Sequence, residues 1–382
     1  MLAAPIGRAS ASGGPPRPPF RPTAAPPLLA APLAMVNIGI VGLGFMGYTH
    51  YTAAQRLRGG KVTAIATRDP KKRAGDWTGI QGNFGPRGGR VDLSKVRAYA
   101  DYKELLADPD VDLVDVCLPT DMHEKVVGDA IAAGKHVLVE KPIAVDLKAA
   151  DRMVKAAEKA GVLLMVGHVL PFFPEFKFAL DTVHSGKHGK LLGAHFRRVI
   201  CPPDWSGDMS DFRKLGGWGI DLHIHDNHFI ALMCGRPKQV FSRGLLADGY
   251  VNHVQTSYVF DGGGPAVSCV SGGIAAKGHQ FAHGFEIYLE KATLLFSAGT
   301  IGGEGVVDRP LTVVTQDGKT REVKPKGGEE WCAAFTGELQ SAVKAVKENH
   351  VSPILSGALA RDALKLCYAE AKSIATGKPV AV

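Results

Sequence analysis

A glycine-rich turn that begins at Gly42 has the sequence G-L-G-F-M-G and follows a short apolar run typical of a buried strand. Gly42 permits the tight turn, Gly44 lets a diphosphate approach the backbone, and Gly47 allows a helix to pack closely on the strand. The diphosphate would bind the free N–H groups at the positive end of that helix. The pattern therefore predicts a site for NAD or NADP. The predicted cofactor contacts in this turn are Gly42, Gly44, Phe45, Met46 and Gly47.

The residues after the second predicted strand bear on which dinucleotide is favoured. An acidic residue commonly binds the ribose hydroxyls of NAD at this position, but this chain has Thr67 followed by Arg68. A hydroxyl and a guanidinium suit a 2′-phosphate better than a diol, so we expect NADP to bind at least as well as NAD. Lys72 or Arg73 could add positive charge. Asp69 is the alternative, because a shift in register would bring it to the ribose.

Asp221 and His225 lie four residues apart and would share one face if 217–234 is helical. The carboxylate would then hydrogen-bond the imidazole, fix its tautomer and raise its basicity, so that His225 exchanges a proton with a substrate oxygen. A polar helix face with no catalytic role is the alternative. A metal site that also uses His223 and His228 is not predicted, because His223 would point about 160° away from His225 on a helix.

The first part of the chain alternates between apolar runs and helical patterns, which predicts βαβ units and a parallel sheet. Buried strands are predicted at 36–41, 62–66, 111–118, 136–139 and 162–166. Helices are predicted from the glycine-rich turn to about residue 57 and at 101–106, 124–133 and 147–160, with a glycine-rich loop at 75–90. This order is that of a nucleotide-binding sheet.

Beyond about residue 170 the pattern changes to consecutive short strands with glycine-rich connections, which predicts a mainly antiparallel sheet. Strands are predicted at 193–200, 239–246, 255–260, 266–271, 285–290, 293–297 and 311–314. Helices are predicted at 175–184, 215–234, 331–348 and 358–375. The predicted fold class is α/β, with an N-terminal parallel-sheet domain at 35–165 followed by an α+β domain at 166–382.

Residues 1–34 differ in composition from the rest of the chain. They hold nine of the 24 prolines and no acidic residue. Such a segment buries too little apolar surface to offset the entropy that is lost on ordering, so a disordered tail is predicted. The alternative is that translation starts at Met35.

The composition excludes several classes of protein. With 45% hydrophobic and 21% charged residues, the 382-residue chain can form a sizeable core. No apolar run reaches the roughly 18 residues that a membrane-spanning helix needs. The net charge of +8 is spread without a Lys/Arg block, so neither nucleic acid nor a membrane is a predicted partner. Six cysteines without a C-x-x-C pair suit free thiols in a reducing compartment, and we expect a cytoplasmic protein.

The segment G-K-H-V-L-V-E-K-P at 134–142 resembles a strand end of the glucose-fructose oxidoreductase/inositol dehydrogenase (Gfo/Idh/MocA) family. The turn L-P-T-D-M-H at 118–123 and the G-G…D-x-x-x-H element from Gly216 to His225 resemble two further family motifs in order and spacing. The resemblance covers residues 36–382. It implies a Rossmann domain followed by a domain with an open-faced sheet. It also implies NAD(P)-linked oxidation or reduction of sugars, polyols or related cyclic alcohols, and a homodimer or homotetramer.

The resemblance also implies roles for residues around the cofactor. Lys141 would lie beside the nicotinamide ring, whose positive charge would lower the pKa of the lysine toward neutrality. Glu140 would reach the nearby ribose or hold the lysine. Lys141 and His225 both stay candidates for the final proton acceptor. The turn after the fourth strand would face the cofactor through Leu118, Pro119, Thr120 and His123.

Candidate substrate contacts come mainly from the second domain. His168 follows the fifth predicted strand, and His228 shares the predicted helix face of the catalytic pair. Arg198 could bind hydroxyls, and Trp205 could stack on a pyranose ring. The chain departs from the family at Pro171, where many relatives have arginine, so an arginine contact with substrate is not expected there.

Two other functions stay open. A glycoside hydrolase of this fold could retain its NAD and use transient oxidation to drive elimination. A dinucleotide-sensing regulator would need no catalysis, and the presence of Lys141, Asp221 and His225 argues against it.

Overall fold

The computed structural model describes residues 34–82, 84–202 and 216–382. Of the predicted tail, residues 1–33 lie outside the described residues, and so does the substrate candidate Trp205. Two sheets organise the described chain, a parallel sheet near the amino terminus and a larger mixed sheet. Within the described ranges, no helix is both long and apolar enough to cross a membrane.

The first sheet is built from β1 (Val36–Val41), β2 (Gly60–Ala66), β3 (Arg97–Tyr99), β4 (Leu113–Val116), β5 (His136–Glu140) and β6 (Leu164–Gly167). All six strands are parallel and follow the order β3-β2-β1-β4-β5-β6, which is the doubly wound order of dinucleotide-binding sheets. This confirms the predicted parallel sheet. The sequence did not predict β3, because its three mostly exposed edge residues form no apolar run.

The helices are α1 (Phe45–Ala54), α2 (Pro70–Arg73), α3 (Tyr102–Ala107), α4 (His123–Ala132), α5 (Leu147–Ala160), α6 (Pro174–His184), α7 (Trp218–Asp221), α8 (Ile224–Cys234), α9 (Ala333–Glu348) and α10 (Gly357–Thr376). Helix α9 comes late in the chain but packs on α1. Its Phe335, Leu339 and Val343 share a hydrophobic core with Val36 and Ile38 of β1. Residues from the carboxyl-terminal part therefore complete the core of the parallel sheet.

The second sheet contains β7 (Leu191–Ile200), β8 (Gln239–Ala247), β9 (Tyr250–Val259), β10 (Ala266–Gly273), β11 (His279–Leu289), β12 (Ala292–Ile301), β13 (Glu304–Thr315), β14 (Thr320–Glu322) and β15 (Val380–Ala381). The order is β14-β13-β12-β11-β7-β10-β9-β8-β15, and only the β7–β10 pair is parallel among these described strands. This confirms a mainly antiparallel second sheet. Phe176 of α6, Phe229 of α8 and Leu366 of α10 share a core with Phe196 and Phe285 of this sheet.

The region predicted as one helix at 215–234 is two helices within its described part, α7 and α8. The backbone N–H of His223 bonds to Trp218 O, five residues back instead of four, so the regular pattern of helical bonds is interrupted. Asp221 and His225 consequently do not stand on adjacent turns of one regular helix.

Candidate active site

The glycine-rich turn after β1 has the shape that a dinucleotide diphosphate requires. Gly42 has a φ of +97°, and a Cβ there would lie 2.7 Å from Cys117 O. A Cβ at Gly47 would lie 2.0 Å from Gly42 O, so the first turn of α1 packs directly on the strand end. A Cβ at Gly44 would have nothing within 4 Å, which leaves room for a bound diphosphate. The turn therefore fits NAD or NADP.

The end of β2 brings positive charge to this turn. Thr67 follows the strand directly, and the exposed Arg68 stands beside it. Asp69 caps α2, because its Oδ1 accepts a backbone N–H of that helix at 2.9 Å, so only its other oxygen is open to the alternative ribose contact. Lys72 Nζ donates to Leu43 O at 2.7 Å, in the glycine-rich turn itself. The sequence alone leaves the role of Lys72 open, and this contact is what brings it to the cofactor turn.

The turn after β4 is held in place by His123. This imidazole is 1% exposed, with Nδ1 2.9 Å from Pro142 O and Nε2 2.9 Å from Leu118 O. Burial lowers the pKa of His123, and a neutral ring has one N–H, so it donates to one of the two carbonyl oxygens while it packs against the other. The geometry therefore gives His123 a positioning role instead of the predicted cofactor contact. Pro119 and Thr120 lie at the surface of the turn or half-buried, and they stay predicted contacts.

Lys141 connects the parallel sheet to the helices of the second part. It follows β5 directly, and its Nζ donates to Asp221 Oδ1 at 2.9 Å and to Asp221 O at 2.6 Å. The side chains of Lys141 and Asp221 are 19% and 17% exposed, so the pair is largely shielded from solvent. The ammonium is thereby fixed at the carboxyl end of a parallel strand, where sheets of this order bind their ligands.

His225 is not bonded to Asp221, contrary to the prediction. The Asp221 carboxylate is turned toward Lys141, and His225 Nδ1 is buried with no hydrogen-bond partner among the described residues. The physical reason is the interruption between α7 and α8. Burial and the positive charge of Lys141 hold the pKa of His225 well below its usual value. A neutral His225 with a free ring nitrogen is able to accept a proton.

His168 and His228 form a cluster with His225. The rings of His168 and His228 stack with centroids 4.0 Å apart, and His168 meets His225 edge-on at 6.2 Å. Burial lowers the pKa of His228 to about 4. Burial and the neighbouring histidines hold the pKa of His168 well below its usual value, and both of its ring nitrogens lack a partner in the described part of the chain. The cluster is a neutral, imidazole-lined wall beside the lysine.

Arg198 is engaged in a buried ion pair. Its Nε and Nη2 donate to the Asp226 carboxylate at 2.8 Å and 3.2 Å, and the two residues are 5% and 1% exposed. A bidentate pair of this kind holds β7 to α8, and breaking it would leave an uncompensated buried charge. The geometry therefore does not support the predicted sugar contact for Arg198.

Sequence reasoning missed the group behind Glu140. His50 of α1 is 0% exposed, and its Nε2 lies 3.0 Å from Glu140 Oε1. The other oxygen, Oε2, accepts the backbone N–H of Lys141 at 3.0 Å. The sequence carried one sign of this arrangement, a histidine inside the helix that follows the glycine-rich turn. The predicted contact of Glu140 with a ribose stays a prediction.

Comparison with known proteins identifies the family. Residues 36–168 match the model GFO_IDH_MocA, described as an oxidoreductase family with an NAD-binding Rossmann fold. Myo-inositol 2-dehydrogenase of Thermotoga maritima is 28% identical over 354 residues, which cover 89% of this chain and 96% of that protein. Residues 36–168 belong to the Gfo/Idh/MocA family. The chain is accordingly an NAD(P)-dependent oxidoreductase.

The likeness of the chain to its relatives extends over both sheets. The scyllo-inositol 2-dehydrogenase (NAD(+)) of Bacillus subtilis is 24% identical, with 90% of this chain and 96% of that protein covered. A crystal structure described as a probable dehydrogenase from Thermotoga maritima has a TM-score of 0.70 at 25% identity and covers 91% of this chain and 98% of that chain. The second sheet is therefore shared along with the nucleotide-binding sheet.

The histidine cluster predicts that the protein loses stability in acid. His228 is neutral when folded, so the unfolded chain binds more protons between its usual pKa near 6.5 and the folded value of about 4. The contribution of neutral His228 to the free energy of unfolding is fully present above about pH 6.5. It is lost as the pH falls from there toward the folded pKa of about 4. Between about pH 7.5 and about pH 5, the parent should lose about 2 kcal/mol more free energy of unfolding than His228→Asn, which no longer takes up the proton.

Urea unfolding at the two pH values measures this difference. Asparagine can still donate to Ile354 O, which His228 Nε2 contacts at 2.9 Å. His350→Asn, at an exposed position, is the matched control and should keep the parental pH dependence. The same loss in His228→Asn as in the parent would show that folding does not lower the pKa of His228.

Proposed function

We propose that this protein transfers hydride between NAD(P) and a secondary alcohol carbon of a cyclic polyol or sugar. One observation carries the proposal: the Lys141 ammonium is bonded to Asp221 in a largely shielded position, and its charge acts on a neutral His225. Oxidation of an alcohol needs a hydrogen-bond donor at the oxygen and a base for its proton, and these two side chains supply them. The names of the inositol dehydrogenases among its relatives support a polyol substrate.

The proposed reaction divides the work between two residues. In the oxidative direction, a ring nitrogen of His225 accepts the hydroxyl proton as the C–H bond breaks. When bound, NAD(P) takes the hydride, that is, the proton and the electron pair of that bond. Lys141 donates a hydrogen bond to the oxygen, which becomes the carbonyl of the ketone, and Asp221 holds the ammonium in place. In the reductive direction, the imidazolium of His225 returns its proton to the oxygen.

His225 is a better proton acceptor than Lys141 in this arrangement. The lysine Nζ donates to two oxygens of Asp221, and an ammonium has no lone pair with which to accept a proton. His225 is neutral, and its Nδ1 has no partner among the residues that the structure describes. We therefore assign the base to His225 and the polarising donor to Lys141.

His168 and His228 support a substrate with several hydroxyl groups. His168 has two unpartnered ring nitrogens, one a donor and one an acceptor in the neutral ring. A hydroxyl group both donates and accepts, so a polyol satisfies either tautomer. The stacking of His168 on His228 fixes the plane of the ring. We propose both histidines as substrate contacts, and Trp205 stays a prediction from the sequence.

The cofactor contacts follow the parallel sheet. We propose that the diphosphate lies on the glycine-rich turn and that Arg68, with Lys72 and Thr67, holds a 2′-phosphate. The further proposed contacts are Gly42, Gly44, Phe45, Met46, Gly47, Leu118, Pro119, Thr120 and Glu140.

A homodimer or homotetramer is the expected assembly. Strands of the mixed sheet expose large apolar side chains, with Leu245 64% and Val307 59% exposed. Leu245 on β8 and Val307 on β13 lie near opposite ends of the sheet, so they mark two separate places where another subunit could bind. The cytoplasmic location stays a prediction from the sequence.

Removal of either reacting group should abolish most of the activity. Lys141→Ala and His225→Ala should each lower turnover by about two orders of magnitude or more, because each handles the substrate oxygen. The dissociation constant of NAD(P)H, measured by its fluorescence, should change by less than about threefold. The assay follows the absorbance of reduced nicotinamide with a panel of inositols and pyranoses.

Lys148→Ala and His350→Ala, at exposed positions outside the site, are the matched controls for this test. They should keep parental turnover. A parent that reduces nicotinamide with none of these alcohols, or a His225→Ala variant with parental turnover, would contradict the proposal.

The exposed Arg68 should select for NADP. Arg68→Ala should weaken NADP binding by about 1–3 kcal/mol, because a charge-assisted contact with the 2′-phosphate is lost, and should leave NAD nearly unaffected. Titration calorimetry with both dinucleotides gives the two changes. Arg58→Ala, which is exposed at the opposite end of α1, is the control. Equal losses for the two cofactors, or a clear preference of the parent for NAD, would defeat this assignment.

A further inference from the structure

A buried cluster of ionisable groups lies behind Lys141, and the proposed mechanism does not use it. Its members are His50, Asp115, Cys117, Glu140 and Glu338. His50, Asp115 and Glu338 are each 0% exposed, and Glu140 is 7% exposed. Three ionised carboxylates around one histidine would be costly in so dry a region. The cluster therefore needs either an extra proton or a bound cation.

Glu338 is the member without a partner. It comes from α9, and neither carboxyl oxygen has a hydrogen-bond partner in the described ranges. Its side chain reaches the end of β6, where a Cβ on Gly167 would lie 2.6 Å from Glu338 Oε1 and 3.4 Å from Glu140 Oε1. Single donor or acceptor atoms of His50, Glu140 and Glu338 all lie within 4.8 Å of one another. The carboxyl of Glu338 is thus aimed at Glu140.

His50 supplies the positive charge of the cluster. Its Nδ1 lies 2.9 Å from Asp115 Oδ2, and its Nε2 lies 3.0 Å from Glu140 Oε1. Burial alone would lower the pKa of His50, but the charges and hydrogen bonds of Asp115 and Cys117 together outweigh burial and hold the pKa well above its usual value. An imidazolium between two carboxylates has no lone pair for a metal ion. A bound proton therefore accounts for the excess negative charge of the carboxylates better than a bound metal cation does.

The position of Glu338 decides which carboxyl keeps that proton. Burial, followed by the negative charge of Glu140, raises the pKa of Glu338 well above its usual value. Glu140, in contrast, has two groups that stabilise its anion: the His50 imidazolium at Oε1 and the Lys141 N–H at Oε2. Two carboxyl groups so close together share one proton, and the one with fewer donors keeps it.

We propose that Glu338 is a positioning residue of the hydride-transfer site, which stays protonated and donates a hydrogen bond to the carboxylate of Glu140. The inference rests on the proposed function, because Glu140 directly precedes Lys141 in the chain and holds its backbone N–H. The bond stabilises the Glu140 carboxylate and fixes its orientation below the lysine. Without this donor, the carboxylate would lose that stabilisation and its hold on the strand end would weaken.

The groups that face the carboxyl pair are the same in every variant considered. They are His50 of α1, Asp115 of β4, Cys117 just after that strand, and His123 of α4. A shift in pH dependence between variants at residue 338 therefore reports the bond to Glu140.

The protonated state can be tested without substrate. The infrared difference spectrum between the parent and Glu338→Gln at about pH 8 should contain the C=O band of a protonated carboxyl in the parent, sensitive to deuterium exchange and absent from the variant. Glu348→Gln, exposed on the same helix, is the matched control and should keep the band. A parent without this band overturns the inference even if the protein oxidises a polyol. The band without any turnover would instead count against the proposed function alone.

The positioning role is tested by the pH profile of kcat/KM. Glutamine can donate to Glu140 and leucine cannot, so Glu338→Leu should move the acid limb to higher pH by about one unit, and Glu338→Gln should restore it. Loss of packing alone would lower Tm without moving the limb, so Tm is measured for each variant. An unmoved limb in Glu338→Leu would overturn the inference. So would stoichiometric zinc or manganese in the purified parent that is lost in Glu338→Gln, and that measurement decides the question even if Glu338→Leu does not fold.

Discussion

The bond between Lys141 and Asp221 is the contact on which the rest of the site depends. It joins the end of β5, in the parallel sheet, to the end of α7, next to the mixed sheet, across 80 residues of sequence. A hydrogen bond between charged groups contributes roughly 1.5–3 kcal/mol, and partial burial protects this one from screening by solvent. Because two oxygens of Asp221 hold the same nitrogen, the ammonium has one position relative to both sheets. That position is next to the carboxyl edge, where a dinucleotide would present its nicotinamide.

Burial and the neighbouring charges set the protonation state of the histidines around this contact. His168, His225 and His228 are driven to the neutral form by burial, with further help from nearby positive charges at His168 and His225. Behind β5, the Asp115 carboxylate and Cys117 outweigh the lowering of the pKa by burial and keep His50 charged. The same side-chain type is therefore the proposed base on one side of β5 and a counter-ion on the other. A dry environment makes both roles possible, because charge interactions are weakly screened there.

The sequence predicted the parts of the fold that follow from local patterns. The glycine spacing at 42–47 and the alternation of strands with helices predict the parallel sheet, which the structure has. The pairing of Asp221 was predicted wrongly, because helical spacing shows neither the interruption before α8 nor the competing ammonium from another sheet. Arg198 and Glu338 find their surroundings through contacts distant in sequence, and no periodic pattern encodes those. The sequence therefore predicts motifs that depend on neighbouring residues, but it does not predict which side chains pair across long stretches of the chain.

A double-mutant cycle between Lys141 and Asp221 tests the central claim most directly. The rate of hydride transfer is measured in single turnovers for the parent, Lys141→Ala, Asp221→Ala and the double variant. If Asp221 acts by holding the lysine, the double variant should be little slower than Lys141→Ala, with a coupling energy of about 2 kcal/mol or more. Additive losses would contradict the account, because they would mean that Asp221 serves the reaction through another group, such as His225.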